Sequence, residues 1–273
     1  MIGVFDSGFG GLTILKELLR QLPDYNYIYL GDNARTPYGN KSDEVIYNYS
    51  RQAVDFLFKQ GCELIIIACN TASAKALREI QQAWLPKHYL EKRVLGVIIP
   101  VVEETAALVK KKATKNKIGL IGTKATIKSK AYEKELKKFN NLDFKIYPKP
   151  APLLVPLVEE GWTKRRETKM ILRYYLRPLK EKRINYLILG CTHYPILLKQ
   201  IKEIMGNQCQ VVDSPKIVAD KLKNYLMRHP EIENKINQSR QRTYYTTDDP
   251  TKFKEMASRF LGEKVEQVKK IEL

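Results

Sequence analysis

The chain has 273 residues, 44% of them hydrophobic and 29% charged, enough to bury one large core or two of ordinary size. Its longest apolar runs, such as ELIIIACNTA, are strand-sized, which excludes a membrane-spanning helix; four cysteines without a CxxC exclude a disulfide scaffold or zinc ribbon. The formal charge of +18 reads first as a solvated lysine-rich surface, with nucleic acid as the alternative partner.

The chain opens on a strand, IGVF, with no basic-then-apolar leader, so a cytoplasmic protein with reduced thiols is expected. DSGFGG (6 to 11) is a tight loop entering a helix, on which Leu12, Ile14, Leu15, Leu18, Leu19 and Leu22 share one face. NYIYLGD is a second strand, TPYG a turn, and SDEVIYNYSRQAVDFLFKQG a helix capped by Ser42 and stopped at Gly61. Its Ile46, Val54, Leu57 and Phe58 point inward. LIIIACNT (64 to 71) is a strand, SAKALREIQQAWL a helix, and Arg93 to Val102 a strand that turns through Pro100.

The second half repeats the alternation. EETAALVKKKA is a helix, KIGLIG a strand, SKAYEKELKKF a helix and FKIYPKP a strand. VPLVEEG and ETKMILRYYLRPL are helical, YLILG is a strand and PILLKQIKEIMG a helix. After QVVDSP, with Ser214 as cap and Pro215 as first helical residue, IVADKLKNYLMRH is a helix. PEIENKINQSRQ is a polar loop, and RTYYTTDD and KVEQVKKIEL are late strands around KFKEMASRFL.

Strands alternating with helices of this length predict an α/β protein with parallel sheets. The halves are related. Cys69 and Cys191 lie 122 positions apart, and at that shift IIIACNT overlays LILGCTH; at a shift of 116, IGVFDS overlays IGLIGT. Two pseudo-symmetric domains follow: residues 1–96 with 208–273, and 97–207. Parallel sheets bind ligands beyond the carboxyl ends of their strands. Asp6, Ser7, Asp32, Cys69, Asn70, Thr71, Thr123, Cys191, Thr192 and His193 all fall there, so the two thiols are expected on opposite walls of one cleft.

Two opposed thiols suit proton transfer at carbon, one as thiolate abstracting and one as thiol donating. A cysteine pKa near 8.5 is readily tuned for that task. Asp6 is the natural auxiliary of Cys69, and His193 that of Cys191. A redox pair would place its cysteines together. Cys191 and His193 lack a second close ligand pair, so no metal is expected. DSGFGG is neither a dinucleotide fingerprint nor a nucleophile elbow, but its N–H groups and the Ser7 hydroxyl suit a carboxylate.

DSGFGG, YLGDNARTPYG, LIIIACNTASA, GVIIP, IGTKATIKS, VPLVEEG and LGCTHYPIL, in this order from residue 2 to about 215, resemble glutamate racemase of the aspartate/glutamate racemase family. Aspartate racemases lack the CTHY form. The resemblance implies a cofactor-independent enzyme, active as a homodimer, that interconverts L- and D-glutamate for peptidoglycan synthesis. By analogy Cys69 acts on the D-enantiomer and Cys191 on the L-enantiomer, with Asp6, His193 and Glu159 as auxiliaries. Ser7, Tyr38, Gly39, Asn70, Thr71, Thr123 and Thr192 would contact substrate. A charge of +18 is more basic than this family leads one to expect. A racemase of aspartate or another amino acid, or a basic nucleic-acid-binding protein, are the alternatives.

Overall fold

The computed structural model describes residues 1–111, 116–140 and 142–273. Its strands are β1 (Ile2–Asp6), β2 (Tyr27–Gly31), β3 (Leu64–Ile67), β4 (Arg93–Gly96), β5 (Asn116–Gly122), β6 (Phe144–Pro150), β7 (Tyr186–Gly190), β8 (Gln210–Val212), β9 (Arg242–Thr246) and β10 (Lys269–Lys270). They form two parallel sheets, ordered β10-β9-β2-β1-β3-β4 and β6-β5-β7-β8. Helices cover both faces of each sheet's centre, so β1, β2, β3 and β7 are buried throughout and read as unbroken apolar runs.

The internal repeat extends to strand register. Ile2 lies opposite Leu64 in the first sheet, and Ile118 lies opposite Tyr186 in the second. Adding 116 to Ile2 and 122 to Leu64 converts one pair into the other. The strand order β2-β1-β3-β4 likewise matches β6-β5-β7-β8. The fold is therefore α/β with two related parallel sheets, the first widened by β9 and β10.

Local signals account for most boundaries. The helix Leu12–Gln21 buries Leu12, Ile14, Leu15 and Leu18, leaving Leu19 partly covered. Ser42 accepts from Val45 N–H at 3.4 Å to cap the helix Asp43–Lys59, and Gly61 leaves it at φ 84°, a conformation that favours glycine.

Several expectations need correction. Arg93 to Val102 is not one strand: β4 stops at Gly96 and the helix Ile98–Lys110 begins. A continuous apolar run carries no period to separate strand from buried helix, and Pro100 sits in a first turn that needs no intrahelical acceptor for its nitrogen. Lys112 and Ala113, the expected end of that helix, lie outside the described residues. SKAYEKELKKF is broken at Lys130, whose φ of 55° divides Lys124–Ser129 from Ala131–Leu136. PEIENKINQSRQ contains a short helix, Pro230–Glu233, and only Lys269–Lys270 of KVEQVKKIEL pairs as strand. Asp213, not Ser214, precedes the helix Ser214–Arg228.

The return of the chain to the first half also comes later than residue 208, because β8 at Gln210–Val212 pairs with β7. The helix Ser214–Arg228 then packs against both Leu12–Gln21 and Ile98–Lys110, joining the halves. Ile98, Val101 and Val102 pack with Ile118, Leu120 and Ile188 of the second sheet. These contacts set the two sheets with the ends of β1, β3, β5 and β7 around a common cleft. Among the described residues no helix is long and apolar enough to cross a membrane.

Candidate active site

A pocket of about 50 Å³ lies between the sheets. Ser7, Tyr38, Gly39, Cys69, Asn70, Thr71, Thr123, Cys191, Thr192 and His193 line it, with Thr36, Pro37 and Val155. Since one water occupies roughly 10–15 Å³ on such a measure, the space is confined. Asp6 and Glu159 stand behind it. Three larger grooves, among them that lined by Lys169, Arg173 and Glu203, are open and hold no cysteine or histidine, and a fourth holds only Cys209, without a second thiol or an imidazole.

On the first wall, Cys69 directly precedes the helix Asn70–Lys75. Its sulfur accepts from Ala72 N–H at 3.5 Å, and the Ser7 hydroxyl lies 3.2 Å away. Asp6, at the end of β1, is buried; one carboxylate oxygen accepts from Gly8 N–H at 2.9 Å and the other from the Thr192 hydroxyl at 3.4 Å. Burial lifts the Asp6 carboxyl above its ordinary value, opposed by the charge of His193. Burial, and then the nearby Asp6 charge, push the Cys69 thiol up to about 12. At neutral pH Cys69 is thus a neutral thiol beside a carboxyl group.

The glycine loop allows this closeness. A Cβ on Gly10 would stand 2.2 Å from Thr192 Oγ1 and 2.5 Å from His193 Nδ1; one on Gly11 would stand 2.5 Å from Asp6 Cβ. Only bare backbone lets the first wall meet the second here.

On the second wall, Cys191 follows β7 and its sulfur lies 3.9 Å from His193 Nδ1. His193 Nε2 is 2.9 Å from Glu159 Oε1, at the end of the helix Leu154–Glu159. Burial disfavours the imidazolium, but contacts with Cys191 and Glu159 outweigh it and raise His193 to about 10. The ring is therefore protonated at neutral pH, donating Nε2–H to Glu159 and turning Nδ1–H to Cys191. One thiol faces a carboxyl group, the other an imidazolium.

Polar groups close the remaining sides. Thr71 Oγ1 lies 3.0 Å from Thr123 Oγ1, and Thr123 caps the helix Lys124–Ser129 through Thr126 N–H. The Tyr38 hydroxyl donates to Asp32, which also receives Arg35 at 2.8 Å and the Thr247 hydroxyl at 2.9 Å. Asp32 thereby ties down the turn carrying Tyr38 and Gly39, and a Cβ on Gly39 would stand 3.2 Å from Thr123 Cβ. Sequence reasoning placed Asp32 at a strand end without giving it this anchoring role, and it missed Thr36, Pro37 and Val155. The signal for Asp32 was an acidic residue closing an apolar strand, which must find partners when buried.

The comparisons fit this geometry. The model of the Asp/Glu/Hydantoin racemase family matches residues 2–222. The chain is 39% identical over 272 residues to a glutamate racemase of Geobacter metallireducens, covering 100% of this chain and 96% of that protein. Among solved structures, a glutamate racemase isoform from Bacillus anthracis superposes with a TM-score of 0.88 at 34% identity, covering 100% of this chain and 97% of that one. The glutamate racemase from Francisella tularensis in complex with D-glutamate gives 0.85 at 36%, covering 99% and 97%. Identity of this level over the whole chain shows that the protein belongs to the Asp/Glu/hydantoin racemase family.

Proposed function

We propose that the chain is a cofactor-independent glutamate racemase working through two cysteine bases. The observation that carries this reading is the pairing of two buried thiols, on opposite walls of one confined pocket, with auxiliaries of opposite character: Asp6 beside Cys69, and the His193–Glu159 pair beside Cys191. Glutamate as substrate is supported by relatives whose structures contain D-glutamate or L-glutamate.

In the L-to-D direction, Cys191 acts as thiolate, held by the His193 imidazolium, and takes the Cα proton. The Cys69 thiol delivers its own proton to the opposite face of the carbanion. D-Glutamate leaves behind a Cys191 thiol and a Cys69 thiolate. The reverse turnover, or proton exchange with solvent through Asp6 and His193, restores the starting state. The difficult step is carbanion formation, because negative charge moves onto the α-carboxylate. Hydroxyls of Ser7, Thr71, Thr123 and Thr192, the Asn70 amide and the backbone of the Tyr38–Gly39 turn are the donors for substrate carboxylates. Each donor aimed at developing charge contributes up to about 3 kcal/mol.

The reading extends to a cytoplasmic homodimer that supplies D-glutamate for peptidoglycan synthesis, as the resemblance of its motifs to glutamate racemase implies. The test is incubation with L-glutamate in D₂O without cofactor, following optical rotation and Cα deuteration together. Loss of rotation with exchange is expected. Exchange with aspartate and none with glutamate would overturn the substrate while keeping the chemistry.

A further inference from the structure

We propose that Tyr132 is a positioning residue that fixes the side-chain amide of Asn70 with its nitrogen toward the pocket. The inference rests on the racemase reading above and adds a residue to it. Tyr132 lies on the helix Ala131–Leu136, in the second half of the chain, and is 1% exposed. Its hydroxyl donates to Asn70 Oδ1 at 2.6 Å. Asn70 belongs to the first half, immediately after Cys69, and lines the pocket.

An asparagine amide has one acceptor end and one donor end. With Oδ1 engaged by Tyr132, Nδ2 must point away from it. Among the described residues no protein acceptor takes Nδ2, and it is not one of the buried polar atoms left without a partner. It therefore opens on the pocket with both N–H bonds free. A turned-over amide would present an acceptor to a substrate carboxylate and repel it. Burial holds the Tyr132 phenol well above its ordinary pKa, so the hydroxyl keeps its proton at every working pH. The orientation of a donor on the Cys69 wall is thus supplied from the opposite wall.

The test uses the full chain as wild type, Tyr132→Phe, Asn70→Ala and the double variant, with kcat and KM for glutamate. A parallel measurement follows the Asn70 side-chain ¹⁵NH₂ resonances in wild type and Tyr132→Phe. Tyr132→Phe keeps the ring and should fold. It is expected to lower kcat/KM about tenfold, to shift the Asn70 resonances, and to have no further effect once Asn70 is alanine. Additive losses, or unchanged Asn70 resonances, would overturn the proposal in favour of a packing role. If the wild type does not isomerise glutamate, the functional reading fails separately, and the resonances still decide whether Tyr132 sets the amide.

Discussion

His193 is held between Glu159 and Cys191, with Nε2 at 2.9 Å from the carboxylate and Nδ1 at 3.9 Å from the sulfur. The pair places a proton on the ring up to pH about 10. Racemisation that needs the imidazolium should therefore fall as pH rises through about 10. In Glu159→Gln the supporting charge is gone and the fall should begin at lower pH. The same raised value gives a stability contribution that is full below about pH 6.5, the ordinary histidine value, and lost as pH rises towards 10. The pH profile of kcat/KM checks the catalytic part; an upper limb that does not move in Glu159→Gln would separate Glu159 from His193's titration.

In the proposed two-base mechanism each thiol serves its own face of the substrate, so neither can replace the other. Cys69→Ala and Cys191→Ala should each reduce racemisation by about a thousandfold or more while leaving the fold intact. Optical rotation with a circular dichroism check decides. Full activity in either variant would end the two-base mechanism.

The charge of Asp6 is second to burial among the causes that raise Cys69. Asp6→Asn should lower the Cys69 thiol from about 12, so alkylation of Cys69 at a fixed mildly alkaline pH becomes faster. If Asp6 relays protons to Cys69 as proposed, racemisation should fall in the same variant. Rates of iodoacetamide labelling, resolved by peptide mass, give the sign directly.

Gly10→Ala puts a methyl group into the space of Thr192 and His193, whose side chains are held by Asp6 and Glu159. Relief requires the two walls to part. A loss of about 1–3 kcal/mol in denaturant stability is expected, with an increase in KM. Unchanged stability and KM would mean that the loop yields without moving the second wall.

Asp32→Asn keeps the shape of the anchor and removes its charge. Arg35, whose other contacts include Gln52 at 2.6 Å, is then left partly buried without its carboxylate. Stability should drop by roughly 3 kcal/mol, and KM should rise as the Tyr38–Gly39 turn loosens. Urea unfolding and steady-state kinetics measure the two effects independently.

How much of this was legible beforehand follows from the kind of signal each feature leaves. The helix Leu12–Gln21 and the cap at Ser42 write themselves in local spacing, and the structure keeps both. The overlay of ACNT on GCTH predicted two related sheets, because a buried parallel strand must be apolar along its whole length and a ligand site must lie just past its end. The apolar run after Arg93 left no period to read, so the first turns of the helix Ile98–Lys110 were read as strand and only its part from Glu103 as helix. Asp32 and Tyr132 were unreadable in their roles for a different reason. Each acts on a side chain positioned by another element, and no local pattern records that meeting.

By itself, then, the sequence determined the alternation of strands and helices, the internal repeat, and the placement of Cys69 and Cys191 just beyond strand ends. Those depend on periodicity and on which residues tolerate burial. The tertiary structure decided the charge state of each thiol's surroundings. Glu159 reaches His193 across 34 positions, Thr192 reaches Asp6 across 186, and Tyr132 reaches Asn70 across 62. The Glu159–His193 bond needs the second half to fold, whereas Thr192–Asp6 and Tyr132–Asn70 exist only once the helices Ile98–Lys110 and Ser214–Arg228 have set one sheet against the other. Desolvation of the pocket, which moves Cys69 and Asp6, arises from the same closure.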